Sequence, residues 1–321
     1  MNVSVSVFVT SYNQKGFLVE AVDSVLAQTR MPDEIVIADD CSQDGSQELI
    51  RTYADEYPNL IKPVFQNRNI GIPRNKNAAY RATTGDYVTY LDGDDLFRPK
   101  KIEVDLDTLE ANPEADVACG NIAYIDSEGR KVGIWCEDEG NVPTGNVANE
   151  VLARDFPKGS LFRNEMVRRD KVEALGFYDT DLPLYEDWEL RIRMSRQARL
   201  AYSHEVTSAY RKNPQGISRS HAGRHLDACA RIYNKHRGKI ESLSPSDRQY
   251  VNQRVRLWIG QFAWSAFRNA IGQRDLVSAW AYLLDAMKFA PQSADLRALV
   301  QLFLPAFAVK SIRFLLGNQQ K

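Results

Sequence analysis

Four short apolar runs, separated by segments of helical pattern, fill the first ninety or so residues, and that alternation leaves few folds open. Val3 to Val9, Glu34 to Ala38, Ile61 to Phe65 and Tyr87 to Leu91 are rich in β-branched or aromatic residues and read as buried strands. Between them Phe17, Leu18, Ala21, Val22, Val25 and Leu26 recur at helical spacing. Ser46 to Tyr57 is a second helix with Asp44 near its N-cap, and Pro73 to Ala82 is a third with proline near its start. Strand and helix in alternation predict an α/β fold with an open, mostly parallel, Rossmann-like sheet covered on both faces. Ligands of such sheets sit beyond the carboxyl ends of the strands, near a switch in strand order.

Three of the strands end there in polar or acidic clusters: Thr10-Ser11-Tyr12-Asn13, Asp39-Asp40, and Asp92-Gly93-Asp94-Asp95. A solvated acidic turn accounts for any one of them but gives no reason for recurrence at equivalent ends. Three carboxylates within four residues repel one another, and a cation relieves that repulsion. Oxygen-only ligands suit a hard divalent ion, Mg2+ or Mn2+. No G-x-G-x-x-G follows the first strand and no G-x-x-x-x-G-K-[ST] occurs, which disfavours dinucleotide and P-loop sites. A diphosphate would be repelled by this mouth unless a metal stood between them, whereas acids at another strand end can accept hydrogen bonds from base N–H groups and ribose hydroxyls. The pattern suits a metal-bridged nucleoside diphosphate.

The bulk numbers exclude other classes. The 321 residues are 44% apolar and 26% charged, and the formal net charge of −1 supplies no global field for nucleic acid. Cys41, Cys119, Cys136 and Cys229 form no C-x-x-C pair, so a disulfide framework or zinc site is not expected and a reducing cytoplasm is. The first residues lack a basic, then long apolar, signal pattern, and no run of 18 apolar residues occurs that would span a bilayer.

In this order, Val9-Thr10-Ser11-Tyr12-Asn13, Ile37 to Ser46, Asn69-Ile70-Gly71 with Arg74 and Asn77, Asp92-Gly93-Asp94-Asp95, Gly176-Phe177-Tyr178-Asp179 and Glu186-Asp187-Trp188-Glu189-Leu190 resemble family 2 glycosyltransferases of the GT-A fold, over about residues 1–215. The resemblance implies a metal-dependent inverting hexosyltransferase that moves a sugar from a nucleotide-sugar donor, UDP favoured, to an acceptor hydroxyl. It implies that Tyr12 and Asp40 lie against the base with Thr10, Asn13 and Asp39 nearby, and that Arg74 and Asn77 face the nucleotide or its diphosphate. It places Asp92 and Gly93 on the ribose side, Asp94 on the metal with Asp95 in support, and Asp187, beside Glu186, as general base. The setting it implies is bacterial surface polysaccharide or lipid-linked glycan assembly, with a glycan or lipid-linked acceptor. The alternatives are a non-catalytic nucleotide- or glycan-binding module and a D-x-D phosphatase.

Downstream, Asp116 to Ile125 and Lys131 to Trp135 read as a hairpin across Asp126-Ser127-Glu128-Gly129, and Gly133 to Asp155 as a loop region. A short helix is expected near Arg163 to Leu175, and another from Glu186-Asp187 to about Arg196. For Glu186-Asp187, plain helix capping competes with catalysis, and Arg191 at i+4 allows a surface ion pair. The helix terminus and Arg191 lower the pKa of Asp187 while burial and Glu186 raise it; the sign is open. Relatives often carry a His where Asn213 stands, which makes Asn213 and, as a substitute, His221 weak candidate metal ligands. Arg211 and Lys212 either neutralise the leaving diphosphate or are ordinary surface charges.

The catalytic domain is expected over 1–220, and a helical appendage over 221–321, with helices at Leu226–His236, Pro245–Gly272, Arg274–Ala290 and Ala294–Leu316. Gly272 to Pro291 resembles a single tetratricopeptide-like helix pair, below the number a repeat domain needs, and so a cap. Leu299 to Leu316 is apolar with Lys310 and Arg313, and two readings stand: packing on its own domain or in a homodimer, or an in-plane membrane helix beside a lipid-linked acceptor at the inner face of the membrane.

Overall fold

The structure, a computed structural model, describes residues 3–212 and 222–289. Asn213, His221 and the apolar stretch 299–316 lie outside the described residues. The chain divides into two compact units, Met1–Gly216 and Ile217–Lys321.

The first unit opens with β1 (Val5–Ser11), α1 (Lys15–Leu26), β2 (Glu34–Asp39), α2 (Ser46–Glu56), β3 (Ile61–Phe65), α3 (Ile72–Ala82) and β4 (Tyr87–Asp92). The four strands run parallel in the order β3-β2-β1-β4. Every residue of β2 is buried, as expected of a parallel strand covered on both faces. Val5, Val7, Val9, Ile35, Ile37 and Leu91 share one core with Leu18, Val22 and Val25 of α1 and Ile50 of α2.

Beyond β4 come β5 (Leu96–Phe97), α4 (Lys101–Ala111), β6 (Val117–Ile125), β7 (Lys131–Ile134), α5 (Ala148–Ala153), β8 (Met166–Arg168), α6 (Arg169–Leu175), α7 (Glu186–Met194) and β9 (Leu200–Arg211). The sheet continues β8-β6-β9-β5, with β7 on β6, and becomes mixed: β8 is antiparallel to both β4 and β6, while β6 and β9 are parallel. The helix expected near 163–175 starts only at Arg169, because Met166–Arg168 is drawn into the gap between β4 and β6. β9 gives no strand signal in sequence: the β6–β9 register shifts between Gly120 and Asn121 and again before Ile122, which breaks the two-residue alternation. Among the described residues the second unit comprises α8 (Ala222–Glu241), α9 (Pro245–Gln273) and α10 (Leu276–Phe289). Ser244 caps α9 by accepting from Asp247 N, with Pro245 in the first turn. Among the described residues no helix is long and apolar enough to cross a membrane.

At the end of the sheet opposite the acidic clusters, Glu34 ties three strands together. Its carboxylate accepts from Ser6 Oγ at 2.5 Å, Lys62 Nζ at 2.5 Å, Thr84 Oγ1 at 2.9 Å and the Thr84 amide. Burial pushes its pKa up, but these donors outweigh it and hold the group at about 2. A folded-state pKa below the unfolded one stabilises above the ordinary Glu range and loses that stabilisation as pH falls toward 2. Glu34→Gln is therefore expected to cost on the order of 2 kcal/mol at neutral pH, a discounted conversion of the shift. In urea unfolding, the gap to wild type should close as pH is lowered from about 5 to about 2, through the ordinary Glu pKa and then the folded-state one. A gap that stays constant with pH would assign the stabilisation to packing.

Candidate active site

Parallel register sets the rim. Thr10 stands opposite both Ala38 and Asp92, and Ser11 opposite Asp39, so the ends of β1, β2 and β4 finish at one level. Thr10 Oγ1 lies 3.3 Å from Asp92 Oδ1, and Gly93 N donates to Thr10 O at 2.9 Å. A Cβ on Gly93 would stand 2.6 Å from that carbonyl, so only glycine lets the chain turn over β1 here.

Beneath this rim lies Lys76, which the sequence reading passed over in favour of Arg74. Its Nζ sits 3.2 Å from Asp92 Oδ1 and 3.1 Å from Glu186 Oε1, under the rings of Tyr90 and Tyr178. Burial would lower its pKa, but Asp92 and Glu186 more than reverse that and keep it charged. Lys76 thus bridges the end of β4 and the first turn of α7. A signal existed: Pro73, Lys76, Ala79 and Tyr80 fall on one helical face, and that face is buried, whereas Arg74 is exposed.

The three rim carboxylates do not act alike. Asp95 is buried, accepts from Arg211 N at 2.8 Å, and is pushed well above the carboxylate range by burial and by Asp94 and Asp92. Arg211 is neither a surface charge nor turned to a diphosphate. It is 1% exposed, donates through Nε to Asp94 O at 2.9 Å and pairs with Glu20 at 2.7 Å, which braces the acidic turn from behind. Asp92 is engaged by Lys76. Asp94 is left half-buried at the rim, with its carboxyl pushed up to about 6 by burial and then by Asp92. Among the described residues no three His, Cys, Asp or Glu side chains are grouped to hold a metal. The donor set fits a hard ion held by one carboxylate and completed by substrate phosphates, as Mg2+ sites commonly are, rather than an all-protein cage.

α7 brings Asp187 to the same place. Burial raises its pKa, but Arg191, Arg163 and Lys76 outweigh burial and hold it below the usual carboxylate range, which decides the sign left open by the sequence. Its Oδ2 accepts from Arg191 Nη1 at 2.5 Å and its Oδ1 from Trp188 N at 2.8 Å. The expected surface pair is in fact a buried one: Arg191 is 1% exposed, also binds Glu165 in a fork at 3.0 and 2.8 Å, and reaches Tyr90 Oη at 2.8 Å. Arg163, stacked 4.4 Å over Tyr210, is the second cation that sequence reasoning missed; the charges of Asp187 and Asp95 bear on it. Tyr185, just ahead of Glu186, has φ +61°, a left-handed conformation uncommon for an aromatic residue.

The remaining candidates lie around β2 and α3. Asp39 is buried and accepts from Ser42 N, Ser42 Oγ and Gln47 Nε2 at 2.8, 2.5 and 3.0 Å, while Asn13 Oδ1 accepts from Gln43 N at 2.8 Å; both shape the loop after β2. Asp40 accepts from Ile70 N and Gly71 N at 2.7 and 2.9 Å, fastening the loop before α3. Tyr12 is 45% exposed at the rim. Asn77 is buried and its amide is taken up by the backbone of Tyr178 in both directions, so here it braces α3.

The sequence profile described as Glycosyl transferase family 2 matches residues 6–170. An uncharacterized protein of Mycobacterium tuberculosis is 30% identical over 219 residues, 66% of this chain and 60% of that protein. The succinoglycan biosynthesis protein ExoO of Rhizobium meliloti is 31% identical over 161 residues, 50% of this chain and 44% of that protein. The chain thus spans less than two thirds of these relatives' length. Among solved structures, S. aureus TarS in complex with UDP-GlcNAc matches with a TM-score of 0.65 at 16% identity, over 90% of this chain and 82% of that one. The mannosyltransferase PcManGT from Pyrobaculum calidifontis, in complex with GDP-Man and Mn2+, matches at 0.59 and 17%, over 98% and 81%. At these identities the structures establish a shared fold.

Lys76→Met is expected to destabilise the protein by roughly 3 kcal/mol, since it strands Glu186 and Asp92 without their counter-ion. Adding Glu186→Gln should recover part of that loss in chemical denaturation. No recovery in the double variant would show that Lys76 acts through packing.

Proposed function

The chain belongs to glycosyl transferase family 2, and from that premise we propose that it is a metal-dependent inverting glycosyltransferase acting on a nucleotide-sugar donor, UDP-linked by preference. One observation carries this reading: a single buried lysine holds the nucleotide-side acid Asp92 and the helix bearing Asp187 to one another. The name of ExoO supports polysaccharide assembly as the setting, with a glycan or lipid-linked acceptor. The GDP-Man and Mn2+ complex of a protein of the same fold supports a divalent ion.

In this mechanism Tyr12 and Asp40 border the base, and Thr10 and Asp92 the ribose. Asp94 would hold the divalent ion, which when bound offsets the charge of the diphosphate. Asp187 takes the proton of the acceptor hydroxyl as that oxygen bonds to the anomeric carbon. The bond from the sugar to the diphosphate breaks on the opposite side, so the configuration inverts. Three cations keep Asp187 ionised and make it a weak base. It is therefore always available, and the proton moves once bond formation has acidified the hydroxyl. Arg163, on which the charges of Asp187 and Asp95 bear, would stabilise negative charge on the departing diphosphate.

Incubation with a panel of UDP- and GDP-sugars and Mn2+ tests the reading, with thermal shift to find the donor that binds the folded state. Asp187→Asn should lower turnover by roughly a thousandfold while nucleotide binding holds. Asp94→Ala should remove the response to Mn2+, and NMR should show the product anomer inverted. Turnover unaffected by Asp187→Asn would sink the assignment. A wild-type protein that binds donors yet transfers to no acceptor of a broad glycan panel would point to a binding module.

A further inference from the structure

Glu165 is a buried acid, separated from Asp187 only by Arg191, that takes no part in the transfer step. It stands one residue ahead of β8, the short strand in the gap between β4 and β6. The residue before it is fastened to β4 twice. Thr89 Oγ1 donates to Asn164 O at 3.0 Å, and Asn164 Nδ2 donates to Tyr90 O at 2.9 Å. Asn164 has φ +53°, a left-handed conformation that asparagine adopts more readily than most residues. Glu165 is thus delivered to the interior from a turn held to the same strand that ends in Asp92.

Its carboxylate covers one whole edge of the Arg191 guanidinium, with Oε1 3.0 Å from Nε and Oε2 2.8 Å from Nη2. Tyr90 Oη accepts a further bond from Nη2 at 2.8 Å. A guanidinium is planar and its donors keep fixed directions, so a partner on that edge also fixes the remaining nitrogen. That nitrogen, Nη1, donates to Asp187 Oδ2 at 2.5 Å. The side chains of Arg191 and Glu165 are 1% and 8% exposed, whereas Asp187 keeps 24%. The series of contacts begins in the interior and opens at Asp187. An arginine at i+4 without a second anchor would hold its acid through one contact between two mobile side chains. The fork with Glu165 makes that contact directional.

We propose that Glu165 is a positioning residue for sugar transfer: by clamping Arg191 it sets the direction in which the Asp187 carboxylate faces the acceptor hydroxyl. This rests on the reading above in which Asp187 is the base. A base must stand within about 3 Å of the hydroxyl it deprotonates. A displacement of about 1 Å at a reacting group costs as much as a hundredfold in rate. Loss of the clamp is therefore felt in turnover, and not in donor binding, which is assigned to other residues.

The panel of UDP- and GDP-sugars with Mn2+ supplies the probe, read as release of UDP or GDP by the full chain. Glu165→Gln keeps the shape but cannot accept from both nitrogens. It should lower kcat by roughly ten- to a hundredfold while KM for the donor stays within about twofold. In the Asp187→Asn background the same substitution should cost almost nothing further, because the group it positions is gone. Tyr90→Phe, which keeps the ring and both carboxylates, should lower kcat by roughly threefold in the same pattern. It carries the test alone if circular dichroism shows Glu165→Gln unfolded. Losses that multiply in the double variants, or a rise in KM with kcat unchanged, would make Glu165 part of the frame only and overturn the proposal. Wild-type turnover in Glu165→Gln would overturn it as well, with the base assignment left standing. Wild-type turnover in Asp187→Asn, or no turnover of any donor by the wild type, would remove the base assignment and this proposal together.

Discussion

One buried ammonium organises the first unit. Lys76 sits between Asp92 at the end of β4 and Glu186 at the start of α7, two points 94 residues apart in sequence, and among the described residues neither acid has another cation so close. Attraction between desolvated charges is stronger than in water, and so is the cost of leaving one unpaired. The arrangement therefore tolerates little displacement. If α7 slid, Glu186 would be left buried and charged; if the turn after β4 opened, Asp92 would be. The rim and the helix that carries Asp187 hold one another in place.

The same logic recurs at two arginines. Arg191 joins Asp187, Glu165 and Tyr90, so the carboxylate next to the rim is oriented by a fully buried fork. Arg211 holds Asp95 and the backbone of Asp94 from β9. Lys76 and Arg191 each face two acids, and the acids divide between structural and outward roles. Asp95 is turned inside to the Arg211 amide and Glu186 to Lys76, whereas Asp94 and Asp187 remain at the rim. A unit with 36 acids against 25 bases concentrates its buried positive charge behind the surface where an anionic donor would lie. The second unit carries the opposite sign, with 16 Lys and Arg against 6 Asp and Glu.

Much of this was legible in the residues. The first four strands and three helices could be read because β-branched runs and helical stripes have distinct periods. The acidic clusters could be placed at one rim because parallel strands end their carboxyl termini on one side. β9 could not be read, since its bulged pairing with β6 destroys alternation, and neither could β8, since three residues carry no period. At the site, Asp94 and Asp187 stood out by motif, but Lys76 and Arg163 did not. A lysine in a helix is ordinarily a surface residue, and only the partners that burial gives it mark it as something else.

The division follows the range of the forces involved. Local sequence alone determined the first four strands and three helices, the direction of those strands, the acidic rim and the family, because propensity and periodicity act over a few residues. Tertiary structure alone decided which carboxylates face inward, which cation each one meets, and that the pKa of Asp187 falls rather than rises. Those outcomes depend on charges brought together across as many as 191 residues of chain, as with Arg211 and Glu20. Coulomb energies scale with distance and burial, neither of which a linear pattern contains.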